Sequence, residues 1–314
     1  MAQDTSAGVS RNQAIVGAAY ALLAYSSWGL LPLYWKLLAM VPPIQMVAHR
    51  VVWSVLVLAG LITLFQRWPA VQETLRSARR MQVLLSTTVL ISANWLLFIW
   101  AVQNNRVVEA SLGYFINPLV NIPLAMVFLG ERLNRWQWLA VSVAVLGVGY
   151  QALQLGGVPW VGLGLALTFS AYGLLRKTAP VDGLVGLAVE TFLLAPVALG
   201  CLVQQDWQGQ GVFLRQGWGV DLLITLAGVV TALPLLWFAN AARRLRYTTI
   251  GFFQYLSPSL ALGLAVFAFG EPFTAVHLAS FGCIWLALAI YTVDSSLGLN
   301  RARAAARAAV EDAV

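Results

Sequence analysis

The 314 residues are 60% hydrophobic and only 10% charged, with a net charge of +7, against about 45–50% and about a quarter in water-soluble domains. That balance excludes a water-soluble fold. The nineteen Lys and Arg fall mostly in the gaps between apolar runs rather than on one basic face, so no nucleic-acid partner is expected.

Apolar runs of about 20 residues suffice to cross a ~30 Å hydrocarbon core. Ten such runs start near Ala14, Pro43, Met81, Val107, Trp136, Val158, Gly183, Trp218, Tyr247 and Thr274. The expected fold class is an all-α integral membrane protein with ten transmembrane helices. Nothing before Ala14 has the pattern of a cleavable signal, so the first span is expected to be retained. Fifteen of the nineteen cations fall on the N-terminal side of these spans, and Lys36, Arg50, Arg106 and Arg215 fall opposite; the positive-inside rule then puts both termini in the cytoplasm. The basic stretches at 67–80 and 301–314 read either as topology signals or as short helices on an anionic leaflet. Cys201 and Cys283 both lie in apolar runs, which leaves no disulfide framework and no CxxC metal site.

Residues 110–131, ASLGYFINPLVNIPLAMVFLGE, resemble residues 248–271, TTIGFFQYLSPSLALGLAVFAFGE, with Gly113 matching Gly251, Pro118 matching Pro258 and Glu131 matching Glu271. Upstream, SSWGLL at 26–31 echoes SAYGLL at 170–175. These echoes divide the chain into repeats at 1–155 and 156–314 with five spans each. Five is odd, so the second repeat enters the membrane from the opposite face, the arrangement used for alternating access.

Six prolines, Pro32, Pro118, Pro123, Pro196, Pro234 and Pro258, fall inside spans. Each removes a backbone donor and is expected to kink or break its helix, and broken membrane helices line cavities. In the fourth span Ser111, Tyr114, Asn117, Pro118 and Asn121 share a face, and in the third Thr87, Asn94 and Asn105 make a sparser polar stripe. Amides facing lipid are costly, so both stripes must face protein or water. The ninth span offers Gln254, Tyr255, Ser257 and Pro258, the first Tyr25, Trp28, Gly29 and Pro32, and the sixth Tyr172. Together these predict a substrate pathway suited to a small amphipathic molecule, neutral or zwitterionic; interhelical hydrogen bonding is the competing role for each. Arg50 and Glu190 are the ionisable residues deepest in spans, and pairing between them is expected either to gate the path or to be static. His49 beside Arg50 is a candidate for proton coupling. Glu131 and Glu271 precede the potential helix caps Asn134 and Thr274 and read as structural. Small residues four apart, such as Ala140 with Ala144, allow close packing within the fold or a homodimer.

The segments SSWGLLPLYWKLL, HRVVWS, NWLLFIWAVQNN, EASLGYFINPLVNI, FLGERL and RRLRYTTIGFFQYLSPSL resemble the RarD group of the EamA branch of the drug/metabolite transporter superfamily, over about residues 14–294. The resemblance implies a ten-helix permease of the bacterial cytoplasmic (inner) membrane, with a cavity among spans 1, 3, 4, 6, 8 and 9 and a poorly defined substrate. The sequence contains no GxxxxGK[ST] and no pair of histidines near each other, which argues against an ATP-driven pump and a metalloenzyme. A secondary transporter, exporting a small molecule with the bilayer as its other partner and no cofactor or metal, is the expected function; a passive channel or scaffold is the alternative.

Overall fold

The computed structural model describes residues 2–103, 107–154, 160–268 and 275–311. Asn105, Glu271 and Thr274, and the side chains of Ser111 and His277, lie outside the described residues. All regular elements among the described residues are helical: α1 (Ala2–Leu37), α2 (Pro43–Leu64), α3 (Trp68–Arg76), α4 (Ala78–Gln103), α5 (Val107–Leu129), α6 (Arg135–Gln154), α7 (Trp160–Thr178), α8 (Gly183–Trp207), α9 (Trp218–Arg244), α10 (Tyr247–Gln254), α11 (Leu256–Gly263), a π turn (Leu264–Ala268) and α12 (Ala275–Glu311). Among the described residues, seven helical stretches are long and apolar enough to cross a membrane, and two shorter apolar ones lie in α5 and α12. Large apolar side chains point outward over most of the bundle, for example Leu64, Val127, Leu146 and Leu153 at 72, 75, 69 and 79% exposure. In water such a surface would aggregate; in lipid it is the solvated face.

The helices of the two halves interleave. α7 packs between α4 and α5, α9 against α1 and α2, α8 against α2, α10 against α5, and α12 against α6. Glycines set the closest approaches. A Cβ on Gly228 of α9 would lie 2.4 Å from the Trp53 carbonyl carbon of α2, and one on Gly113 of α5 would lie 2.9 Å from the Gly162 carbonyl oxygen of α7. Ser54 of α2 donates to the Gly228 carbonyl at 3.1 Å, so that closeness is also used for a hydrogen bond. Ala140 and Ala144, fully buried, and Gly147, whose Cβ would meet Cys283 at 2.7 Å, bring α6 onto α12. The small-residue stripe of that span is therefore spent inside the fold.

Proline breaks fewer helices than the sequence predicts. α1, α5 and α9 run unbroken through Pro32, Pro118 and Pro234, because one lost i→i−4 bond is outweighed where neighbouring helices clamp both sides. The chain does break next to Pro258, where Tyr255 separates α10 from α11 and its N–H turns back to Phe252 O at 3.2 Å. Glu131 also has a different role from the one its sequence position suggests. Asn134 alone caps α6, its Oδ1 accepting from the Trp136 and Gln137 N–H groups at 2.9 Å each. Glu131 instead accepts from the Tyr247 and Thr248 N–H groups at 2.7 and 3.1 Å and from the Thr248 hydroxyl at 2.6 Å, which caps α10 in the other half.

Gly228→Ala is expected to cost about 1–3 kcal/mol through forced overpacking, while Gly60→Ala and Gly149→Ala, with open space at the Cβ position, stay near neutral. Thermal unfolding in detergent checks this; equal melting temperatures for all three would show that α2 and α9 do not meet so closely.

Candidate functional site

A cavity of about 490 Å³ lies at the centre of the bundle, within the size range of small-molecule sites. Its wall draws on α1, α2, α4, α5, α6, α7, α9, α10, α11 and α12. Of the residues expected along a pathway, Tyr25, Trp28, Pro32, Arg50, Asn94, Tyr114, Asn117, Gln254, Ser257 and Pro258 all line it. The rest of the wall is largely aromatic and aliphatic, including Trp35, Trp95, Phe98, Phe115, Phe169 and Phe281.

Local helix geometry explains this convergence. Tyr25, Trp28, Pro32 and Trp35 recur every three or four residues along one face of α1, and Tyr114 and Asn117 do the same on α5. Asn94 of α4 donates both amide hydrogens to α7, to Leu165 O and Thr168 Oγ1 at 2.9 Å each; only its carbonyl oxygen remains for a ligand. Asn117 is held more loosely, its Oδ1 accepting from Ser170 at 3.3 Å. Asn121 lies deeper, donating to Gln254 Oε1 at 2.6 Å, which ties α5 to α10. The Tyr25 hydroxyl and the Gln151 Oε1, both on residues of the wall, are buried without a hydrogen-bond partner.

Seven expected site residues, Asn121 among them, lie off the cavity. His49 packs its ring on Phe213 at 5.3 Å, under the loop that joins α8 to α9. Tyr255 is buried in the packing between α5, α6 and α12. Tyr172 and Glu190 line a separate cavity of about 20 Å³, room for one water, which shares Ile91, Trp95, Thr231 and Leu235 with the large one. Pro118 and Pro234 are buried in their helices.

Arg50 and Glu190 do not pair in this structure. Glu190 of α8 faces Arg176 of α7 at 3.6 Å, with the two side chains 3 and 0% exposed. The Thr87 hydroxyl donates to its Oε1 at 2.5 Å and the Tyr172 hydroxyl to its Oε2 at 3.4 Å. Arg176 donates to Gly183 O at 3.1 Å, and its guanidinium fits only because residue 186 is glycine: a Cβ there would sit 2.1 Å from Nη1. Sequence reasoning missed Arg176 by reading it as a loop cation next to Lys177. The signal was present, because Arg176 stands one helical turn after Tyr172 on the same face.

Arg50 is held in another way. Its Nε donates to Thr231 Oγ1 at 2.9 Å, and its guanidinium lies 5.1 Å from the ring centroids of both Trp35 and Trp95, within cation–π range. It forms no ion pair among the described residues.

Removing either member of the Arg176–Glu190 pair should cost about 3–5 kcal/mol, because the other charge is stranded in low dielectric. Arg176→Met and Glu190→Met are expected to unfold at markedly lower temperature, and the double variant to recover most of the loss. Additive losses in that cycle would show that the two charges do not act on each other.

The family model for the EamA-like transporter family matches residues 15–150. A Vibrio cholerae protein named "Uncharacterized transporter" is 46% identical over 93% of this chain and 96% of its own length. "Protein RarD" of Escherichia coli is 44% identical over 89% of this chain and 94% of its own. "Chloramphenicol-sensitive protein RarD" of Pseudomonas aeruginosa is 33% identical over 86% and 91%. A protein of known crystal structure has the same fold, with a TM-score of 0.71 at 18% identity over 90% of this chain and 98% of that one. With apolar helices, a lipid-facing exterior and relatives of this identity along nearly its whole length, the chain is a multi-pass membrane protein that belongs to the RarD group of the EamA-like transporter family.

Proposed function

We propose that the chain is a secondary transporter that exports a small amphipathic molecule by alternating access through the central cavity. The observation that carries this reading is the composition of the cavity wall: it is shared between the two halves of the chain, so any rocking of one half on the other reshapes it. In this reading ten spans form two inverted repeats, 1–155 and 156–314. The most extensive helix contacts support it, because they persist when each helix is exchanged for its counterpart. α2 packs on α8, α5 on α10 and α6 on α12, each on its own equivalent, while α4 on α7 is matched by α9 on α1.

Both termini lie in the cytoplasm in this proposal. One end of the bundle gathers Arg67, which pairs with Asp182, Lys177, bonded to the Ala242 and Leu245 carbonyls, Arg243, bonded to Val181 O, and Arg246, bonded to Arg132 O. The opposite end holds the Arg215–Asp206 pair and the Gln45 amide on Gln210 O. That asymmetry fits the positive-inside rule. Single cysteines at Arg76 and Arg244 should label only from the cytoplasmic side and one at Gln208 only from outside; cytoplasmic labelling of position 208 would overturn the span count.

Transport itself is tested with the purified protein in liposomes, offered amphenicols and amphipathic metabolites with and without a pH gradient. A transporter shows saturation and countertransport, and a channel shows neither. Asn117→Leu should raise KM about fivefold, the equivalent of about 1 kcal/mol for one polar contact, with an unchanged size-exclusion profile. A wild-type KM in that variant would remove Asn117 from the pathway.

A further inference from the structure

Among the described residues, the cavity wall contains one formally charged side chain, Arg50. Its Nε is used on Thr231, and its Cζ lies over the rings of Trp35 and Trp95, 5.1 Å from each centroid. The two terminal nitrogens have no hydrogen-bond partner among the described residues, and they are not sealed in protein, since neither is among the buried atoms that lack a partner. The π faces stabilise the cation without consuming an N–H group. What remains is a planar fork of donors held by α1, α4 and α9 at one end of the cavity, the geometry that suits a carboxylate.

The far end differs in chemistry. Trp35 and Tyr25 are ten residues apart on α1, or about 15 Å. At the Tyr25 end the wall offers the Gln254 amide, while the Tyr25 hydroxyl is itself buried, and between the two ends stand Trp28 and Phe169, with ring centroids 5.7 Å apart. A ligand that satisfies the whole cavity therefore has one anionic group, an apolar or aromatic body and at most a small polar tail. A second negative charge would find no cation in the wall, and an ammonium group would meet Arg50 without any carboxylate to offset it.

We propose that Arg50 is the anion-binding residue of the cavity and that the transported molecule is a soluble organic monoanion, a carboxylate on an apolar or aromatic body. The proposal rests on the reading of the cavity as the transport path and replaces the neutral or zwitterionic substrate expected from sequence. The phosphodiester headgroup of an anionic lipid has related chemistry, so the test must separate the two sources.

The probes are three matched compounds, 3-phenylpropionate, 3-phenylpropionamide and 3-phenylpropylamine, titrated against the full chain in phosphatidylcholine nanodiscs by calorimetry and by quenching of tryptophan fluorescence. The acid should bind about tenfold more tightly than the amide, the usual scale of one charge-assisted contact, and the amine most weakly. Arg50→Gln should bring acid and amide to the same affinity, and Arg50→Lys should keep part of the preference; if the Gln variant is not monodisperse, the Lys variant carries the comparison. An arginine that only staples helices would weaken all probes equally when replaced, and that result overturns the assignment. Equal binding of acid and amide by the wild type also overturns it, yet leaves the cavity reading standing where Asn117→Leu weakens both. Failure of all three to bind the folded protein overturns both readings. Loss of acid binding alone when a quarter of the lipid is phosphatidylglycerol would identify a lipid headgroup as the occupant of Arg50 and overturn the soluble monoanion.

Discussion

A guanidinium and a carboxylate face each other 3.6 Å apart between α7 and α8, each almost fully shut off from solvent, and the helices around them are arranged so that this is tolerable. Taking two ions out of water costs several kcal/mol each, and their attraction offsets that only where further hydrogen bonds complete the shell. Thr87 brings in α4, Tyr172 adds a second contact from α7, and the Gly183 carbonyl takes one Arg176 nitrogen. Arg176 still has its Nε and Nη1 without a hydrogen bond, so the cluster is incompletely satisfied and sensitive to any shift of α7 against α8. Gly186 is the steric condition for the whole arrangement. The cluster fixes the angle at which a helix of the second half enters between helices of the first.

Close packing and the open cavity follow from the same residue choices. Membrane helices gain little from the hydrophobic effect against one another, so they associate by dispersion and hydrogen bonds at short range. Gly113, Gly147 and Gly228 permit close helix contact, Gly113 within the wall itself, whereas tryptophans and phenylalanines supply much of the rest of the lining of the void. Asn94 and Asn121 then fasten the two halves across it, the one to α7 and the other to Gln254.

Much of this was legible in the chain. Spans were readable because hydrocarbon thickness imposes a length and an apolar composition, and the cavity wall was readable because amides and tyrosines at helical spacing have nowhere else to go. What the sequence could not supply was partner choice. Arg50 and Glu190 stand at comparable depths in their spans, so pairing them was the simplest use of two buried charges. Which of several cations reaches Glu190 depends on the rotation of α7, and that rotation is set by contacts with α4, α5 and α9 that no local pattern encodes. The same limit applies to Glu131, whose neighbour in sequence is the start of α6 but whose neighbour in space is the start of α10. Pro32 and Pro234 show the reverse case, in which a strong local rule yields to the clamping of a helix by its surroundings.

The two deep arginines separate structure from recognition on electrostatic grounds. Arg176 has its charge matched by a carboxylate, which lowers the field it projects and leaves nothing for a ligand to neutralise. Arg50 is stabilised by ring quadrupoles, which hold a cation without cancelling its net charge. In a low-dielectric cavity an uncancelled charge acts over a longer range than in water, and among the described residues the wall opposite it contributes only neutral dipoles. Among the described residues the wall thus keeps one positive charge available among neutral side chains, and an arginine serves better than a lysine there because a planar, weakly hydrated guanidinium can contact two tryptophan rings while keeping donors free at its edge. The cost of holding that charge is shared by helices of both halves, which links the state of the cavity to the relative position of the halves that enclose it.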